Sequence, residues 1–242
     1  MTQTTQRGVP PARIIKLTHP FPSFTPDSSI LILDTSDPFK PVEAHRIKIG
    51  SQHGEAGRGA PNSVSSFSGY IAVALDAEVK TDPGFLRIYS LKGPEYEMMA
   101  EVQVAAMPDM VTFSSDGKKL YVACEGEPSS QEVVGSDPNS GANPSGAFVI
   151  VTVAWESRTG QPSISNSKIL QLQSYIDGLT TTQYAKLLAD GFRVDPRLVD
   201  GQAGAGKDVE PEYIALSDDG RSAYVTLQVC GLKEVLSKLG KH

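Results

Sequence analysis

A chain of 242 residues with 39% apolar residues can bury a sizeable core, as one β domain or as two smaller ones. Its net charge of −6 and the lack of any Lys/Arg cluster exclude a nucleic-acid groove, because phosphate contacts need local positive charge. No apolar run approaches the roughly 18–20 residues of a membrane-spanning helix, and the two cysteines, Cys124 and Cys230, have neither the number nor the spacing of a disulfide framework or a metal site.

Residues 1–27 read as an irregular segment, and Met1 to Lys16 lacks the apolar centre of a secretory signal. Strand signals begin with Ile30 to Asp34 and Ala44 to Ile49, the closing pair of a sheet whose opening pair is missing. Three repeats follow. Pro61-Asn62-Ser63-Val64, Pro108-Asp109-Met110-Val111 and Pro211-Glu212-Tyr213-Ile214 align as proline, a polar or acidic residue, and a β-branched residue. Ser114 to Ala123 then matches Ser217 to Thr226 without a gap, and Gly69 to Ala74 matches after a two-residue deletion. Each copy predicts a strand, a tight turn and a second strand, with Asp116-Gly117 and Asp219-Gly220 supplying the positive φ that such turns need.

Gly84 to Leu91 and Tyr96 to Ala106 supply third and fourth strands after the first repeat, and Ala147 to Val153 a third strand after the second. Gln131 to Ser145, rich in Ser, Pro, Asn and Gly, predicts a long loop before it. Ser163 to Gln173 predicts the fourth strand. Thr181 to Gly191 then has helical spacing and a terminal glycine suited to a C-cap, giving a helical insertion near 174–192. Beyond the third repeat, Leu232, Val235, Leu236 and Leu239 fall on one face of a short helix, so 229–242 reads as an aberrant or helical tail.

A lone hairpin cannot bury its apolar face, but stacked hairpins can. The repeats start 47 and 103 residues apart; a period of about 40–50 residues is that of radial four-stranded blades, and the longer gap is one period plus an insertion. The predicted fold class is therefore all-β, a β-propeller holding an incomplete set of about three blades over residues 28–228. Closed propellers use roughly four to eight. The expected partners are the remaining blades of a longer protein, or other copies joined through open strand edges.

Antiparallel pairing returns the end of each second strand to the face where the first strand starts. With first strands innermost, Asp76, Glu78, Asp109, Glu125, Glu127, Asp208, Glu210 and Glu212 converge on one channel mouth with Asn62. Hard oxygen donors in that number suit Ca²⁺. The alternatives are acids that decorate loop ends, and acid/base catalysis.

Other motifs carry less. Gly201 to Asp208 nearly matches the phosphate-binding pattern G-x-x-x-x-G-K-[ST], but Asp208 replaces the hydroxyl, and Pro211 with the strand after it denies the helix; it reads as a flexible glycine loop. His19, His45, His53 and His242 lie outside the repeats and no Gly-x-Ser-x-Gly elbow occurs, so a Ser-His-Asp site is not indicated. Cys124, equivalent to Leu75 and Leu227, reads as a small buried hydrophobe.

The repeats also carry a resemblance. Pro61 to Val64, Ala72 to Glu78 and Lys80 to Gly84, then Met107 to Phe113 with Val122 to Ser129, then Lys207 to Ser217 with Ala223 to Gln228, are similar to three signatures of the choice-of-anchor I family. Animal members are often called mesenchyme-specific cell surface glycoproteins. The resemblance implies a β-propeller that is exported or displayed at a cell surface, sometimes joined to phosphatase or nucleotidase modules, with no established reaction. Relative to that family a signal peptide, the first hairpins and several later blades are expected to be missing here. No Asn-x-Ser/Thr sequon with a permitted middle residue occurs.

Three functional readings follow. One is a non-enzymatic propeller binding a protein or glycan ligand, with Ca²⁺ at its acidic mouth. The second is a Ca²⁺-dependent phosphoesterase or lactonase-like hydrolase. The third is a truncated fragment without independent function.

Overall fold

The computed structural model describes residues 13–18, 28–92, 96–127, 143–194 and 201–228. The tail over 229–242 with Cys230, and most of the loop predicted for Gln131 to Ser145, lie outside the described residues.

Four antiparallel sheets and two short α-helices make up the described chain. The first sheet has the order β1 (Arg13–Thr18), β2 (Ser29–Asp34), β3 (Val42–Lys48). The second runs β4 (Arg58–Phe67), β5 (Tyr70–Ala77), β6 (Pro83–Ser90), β7 (Met98–Ala106). The third runs β8 (Pro108–Phe113), β9 (Lys119–Cys124), β10 (Ala147–Trp155), β11 (Pro162–Gln171). The fourth pairs β12 (Pro211–Leu216) with β13 (Ala223–Leu227).

The segment over 1–27, predicted to be irregular, is corrected by β1: Arg13 to Thr18 pairs residue for residue with Asp34 to Ser29. Its run of β-branched residues is strand-like, but it lies outside the repeats and no Asp-Gly pair joins it to β2. The region after β10 holds two helices, α1 (Leu172–Asp177) and α2 (Thr181–Ala189), with α1 taking residues expected to finish the strand. Thr180 and Gln183 close a capping box at the start of α2, satisfying two backbone donors reciprocally.

The Asp-Gly hairpins are built alike. Asp116 accepts from Ser114 Oγ and Lys118 N, as Asp219 does from Ser217 Oγ and Arg221 N. Gly117 (φ 69°) and Gly220 (φ 66°) hold the left-handed position.

Alternation along each strand gives every sheet two faces to cover. Ile71, Val73 and Leu75 of β5 pack with Ile30 and Ile49 toward the first sheet. Tyr70, Ala72 and Ala74 pack with Leu120, Val122 and Cys124 toward the third, so β5 is buried throughout. On the far side of the third sheet, Tyr121, Ala123 and Phe148 pack with Ile214, Ala223 and Val225. The sheets thus pack face to face in chain order.

Their first strands lie side by side. Ser63 Oγ and Ser65 Oγ of β4 accept from Val111 N and Phe113 N of β8, each at 3.1 Å, and Ile214 N of β12 donates to Met110 Sδ of β8 at 2.8 Å. Edge amides that no ladder satisfies are thereby paired between sheets.

Residues 201–207 form a packed 3-10 turn, which corrects the expected flexible loop. A Cβ on Gly206 would sit 2.4 Å from the Gln173 backbone, and Gly206 N donates to Gln173 Oε1 at 2.7 Å. Pro211 opens β12 directly afterwards, so no helix N-terminus faces the glycines.

Candidate acidic site

Three strand starts set the site. Pro108 pairs with Cys124 and Pro211 with Leu227, so Asp109 and Glu212, one residue into β8 and β12, come to the end where β9 stops and Glu125 to Glu127 begin. Pro61 pairs with Leu75 in the second sheet, which makes Leu75, Cys124 and Leu227 equivalent. Cys124 is fully buried and burial pushes its thiol well above the ordinary range, as a packing role requires.

The segment leading into β12 meets this end through two close backbone approaches. Gly146 has no room for a side chain, since a Cβ there would lie 2.0 Å from Val209 O and 3.1 Å from Glu125 O. Gly126 likewise runs against Ser145. Asp208 and Glu210 are thereby brought beside Glu125 and Glu127, and both are buried.

The electrostatics record the crowding. Burial, then the charges of Asp109, Glu127, Glu210 and Glu212, push the Glu125 carboxyl up to about 8. Burial, then Glu127, Asp208 and Glu212, push Glu210 up to about 7. The charges that raise the two belong to other carboxylates, so ionising either one is opposed by its neighbours.

Two of the predicted ligands are drawn elsewhere. Asp76 accepts from Asn62 Nδ2 at 2.7 Å, lies 3.9 Å from Lys80 Nζ, and adds its charge to the field at Cys124; Asn62 Nδ2 also donates to Pro108 O. Glu78 is exposed and accepts from Gly57 N at 3.1 Å, across the start of β4. The six that assemble are Asp109, Glu125, Glu127, Asp208, Glu210 and Glu212.

Asn143 was not legible as a candidate. It is buried two residues before Ser145, and its Oδ1 accepts no hydrogen bond from the described residues. A buried amide oxygen left open is rare enough to need an explanation. Carboxylates in that number suit a hard cation, yet among the described residues no three acidic, His or Cys side chains are arranged to enclose one.

The model of the choice-of-anchor I domain matches residues 24–229. The chain belongs to the choice-of-anchor I family. Membership points to a cell-surface-associated, β-rich domain. No curated protein sequence matches it. Among solved structures it is similar to hydrazine synthase of Kuenenia stuttgartiensis at 15% identity and a TM-score of 0.43, over 86% of this chain. It is also similar to a functionally unknown protein from Desulfotomaculum acetoxidans at 12% identity and a TM-score of 0.43, over 88% of this chain. The choice-of-anchor I chain spans 38% and 51% of those two proteins. No helix among the described residues is long and apolar enough to cross a membrane.

Proposed function

We propose that the chain is part of a non-enzymatic β-propeller at the cell surface or outside the cell, which binds a protein or glycan ligand and holds Ca²⁺ at the junction of its first strands. The propeller reading is supported by sheets that pack in chain order with their first strands adjacent, as radial blades do. The observation that carries the cation is the pooling of six carboxylates, where burial first and mutual repulsion second hold Glu125 near 8 and Glu210 near 7. A divalent ion would relieve that repulsion, with Asn143 Oδ1 as a neutral donor. Side-chain rotation would close the oxygens around the ion.

Calorimetric titration of the chain with CaCl₂ at pH 8 tests this. One saturable event is expected, weakened at least tenfold at pH 6, where protons compete, and abolished in Glu125→Gln/Glu210→Gln. At a hundredfold excess over Kd, bound ion adds about 2.7 kcal/mol of stability, or roughly 5–11 °C in Tm for a chain of this size. A flat titration with an unchanged melting curve at millimolar Ca²⁺ defeats the reading.

A second reading draws on Glu125 alone. A carboxyl poised near 8 can hold or release a proton at neutral pH, which suits the Ca²⁺-dependent phosphoesterase or lactonase-like alternative. Phosphate-ester or lactone turnover that disappears in Glu125→Gln, with Ca²⁺ affinity retained, would favour it over a binding role.

A further inference from the structure

The hairpin turns leave one junction between sheets filled and the next one open. Between the second and third sheets, Phe67 at the end of β4 lies against the Asp116-Gly117 turn: its ring centre is 5.6 Å from that of Phe113, and a Cβ on Gly117 would meet the ring at 2.2 Å. Phe67 stands three residues after Val64. Three residues after Val111 stands Ser114, whose hydroxyl turns back to Asp116 and Lys119. A small hydroxyl thus replaces an aromatic ring where the third sheet meets the fourth. Among the described residues nothing lies within 4 Å of a Cβ built on Gly220, the counterpart of Gly117.

What remains is a recess of about 390 Å³, within the range of roughly 300–1,000 Å³ usual for small-molecule sites. Thr112, Phe113 and Ser115 line it from the third sheet, and Leu216, Asp218 and Gly220 from the fourth. All belong to first strands or to the turns that follow them, so the recess lies at the opposite end of β8 and β12 from the acidic cluster. A strand added beyond β13 would lie on its far side from β12, away from this lining.

The lining is amphipathic. Phe113 and Leu216 hold equivalent places, two residues after Val111 and Ile214, and supply its apolar part. With them stand the Thr112 and Ser115 hydroxyls, which both donate and accept, and the Asp218 carboxylate, which only accepts. Among the described residues Ser115 and Asp218 make no hydrogen bond or ion pair, so their bonding capacity is open to a ligand. No lysine or arginine lines the recess among the described residues, which leaves an anionic ligand without a counter-charge.

We propose that this recess is a saccharide subsite that takes one neutral hexose ring of a glycan, with the C–H face of the ring against Phe113 and Leu216 and its hydroxyls bonded to Thr112, Ser115 and the Asp218 carboxylate. A hexopyranose has the matching two-sided character, apolar C–H groups on a face and hydroxyls around the rim. A hydroxyl that donates to an ionised carboxylate forms the stronger, charge-assisted kind of bond. The inference rests on the ligand-binding reading above and names one ligand class and its place; it uses none of the residues assigned to Ca²⁺.

The test follows amide shifts of the ¹⁵N-labelled chain while the methyl glycosides of glucose, galactose, mannose and N-acetylglucosamine are added singly, with methylammonium chloride as the cationic comparison. At least one glycoside is expected to move Phe113, Ser115, Leu216 and Asp218 saturably, with a Kd on the order of 1 mM for a ligand of this size, and to leave Glu125 to Glu127 in place. Ser115→Trp, which fills the recess as Phe67 fills its counterpart, is expected to abolish the shifts, and Asp218→Asn to raise Kd at least fivefold. Both positions are exposed, so the melting temperature should hold in each variant.

An absence of saturable shifts with every glycoside overturns the proposal, as do shifts that persist unchanged in Ser115→Trp. Methylammonium binding that is lost in Asp218→Asn, with no glycoside bound, would replace the saccharide by a cationic amine. A flat Ca²⁺ titration with the glycoside shifts intact would remove the cation and keep the subsite.

Discussion

Around Arg87, cations and carboxylates alternate, whereas the charges that act most on Glu125 are those of other carboxylates. Arg87, 4% exposed, donates to Glu101 Oε2 at 2.6 Å, to Glu55 Oε2 at 2.9 Å and to the Tyr89 hydroxyl at 3.1 Å. Glu101 also receives Arg58, whose guanidinium lies 4.2 Å from the centre of the Phe85 ring. Burial works against the charge of Arg87, but Tyr89, Glu101 and Glu55 together hold its guanidinium above the ordinary range. The difference teaches where charge serves the fold and where it is held against it. Glu101 is kept below its ordinary value by its two arginines, although burial pushes it the other way, while Glu125 and Glu210 are kept above theirs. Strain of the second kind is a reason to propose a use beyond folding.

The largest expected effect lies in the balanced cluster. Arg87→Met leaves Glu101 with Arg58 alone and Glu55 without its partner, and is expected to destabilise the chain by about 3 kcal/mol, since breaking a buried pair strands its other half. Thermal unfolding should show a fall of roughly 6–12 °C. A loss below about 1 kcal/mol would mean that the network contributes no more than a surface pair does.

The unbalanced cluster should act in the opposite direction and with pH. Glu125 and Glu210 bind protons in the folded chain up to about 8 and about 7, against an ordinary value of 4.5 for the unfolded chain. The folded state therefore holds more protons between those values, and stability falls as pH rises from 5 to 8. The fall is expected to be about 1–2 kcal/mol after allowing for solvent screening at this end of the sheets. Glu125→Gln/Glu210→Gln should flatten it. Melting curves in chelator that keep the wild-type slope in the double variant would remove both groups as its source.

Much of the sheet pattern was legible because it is local. Asp-Gly turns with a serine two residues before the aspartate are nearly self-contained, and Ser114 to Lys118 and Ser217 to Arg221 fold to the same set of bonds. The start of β4 was less so: it begins at Arg58 with two register shifts, because Asn62 is turned toward Asp76 and Pro108 of the next sheet. β1 was missed because it lies outside the repeats and its place is set by pairing with β2. The Arg87 network was invisible for the same reason, since Glu55 and Glu101 lie 32 and 14 residues away.

Among the acids, those at strand starts and ends could be placed from the repeat alone, because antiparallel pairing fixes where both lie. Glu78 could not, since one further residue of chain past β5 carries it to Gly57. Asp208 and Glu210 depend on how the glycine-rich turn packs on Gln173, a contact spanning 33 residues. Composition suggested flexibility there; close packing against a second element decided otherwise.

The smallest effect separates crowding from burial within the acidic cluster. Burial is the first cause of the rise at both Glu125 and Glu210, and Glu127 is the one carboxylate whose charge acts on both from the stretch after β9. Glu127→Gln removes that charge without emptying any space, so it leaves the desolvation of both groups in place. The two carboxyls should then titrate lower by a few tenths of a pH unit each, and stability at pH 8 should rise by a few tenths of a kcal/mol, since one pH unit corresponds to about 1.4 kcal/mol. Carboxyl titration followed by NMR in chelator resolves shifts of that size. If neither Glu125 nor Glu210 moves, the carboxylates are too well screened from one another to act as a unit, and the unbalanced half of the comparison reduces to two separately buried acids.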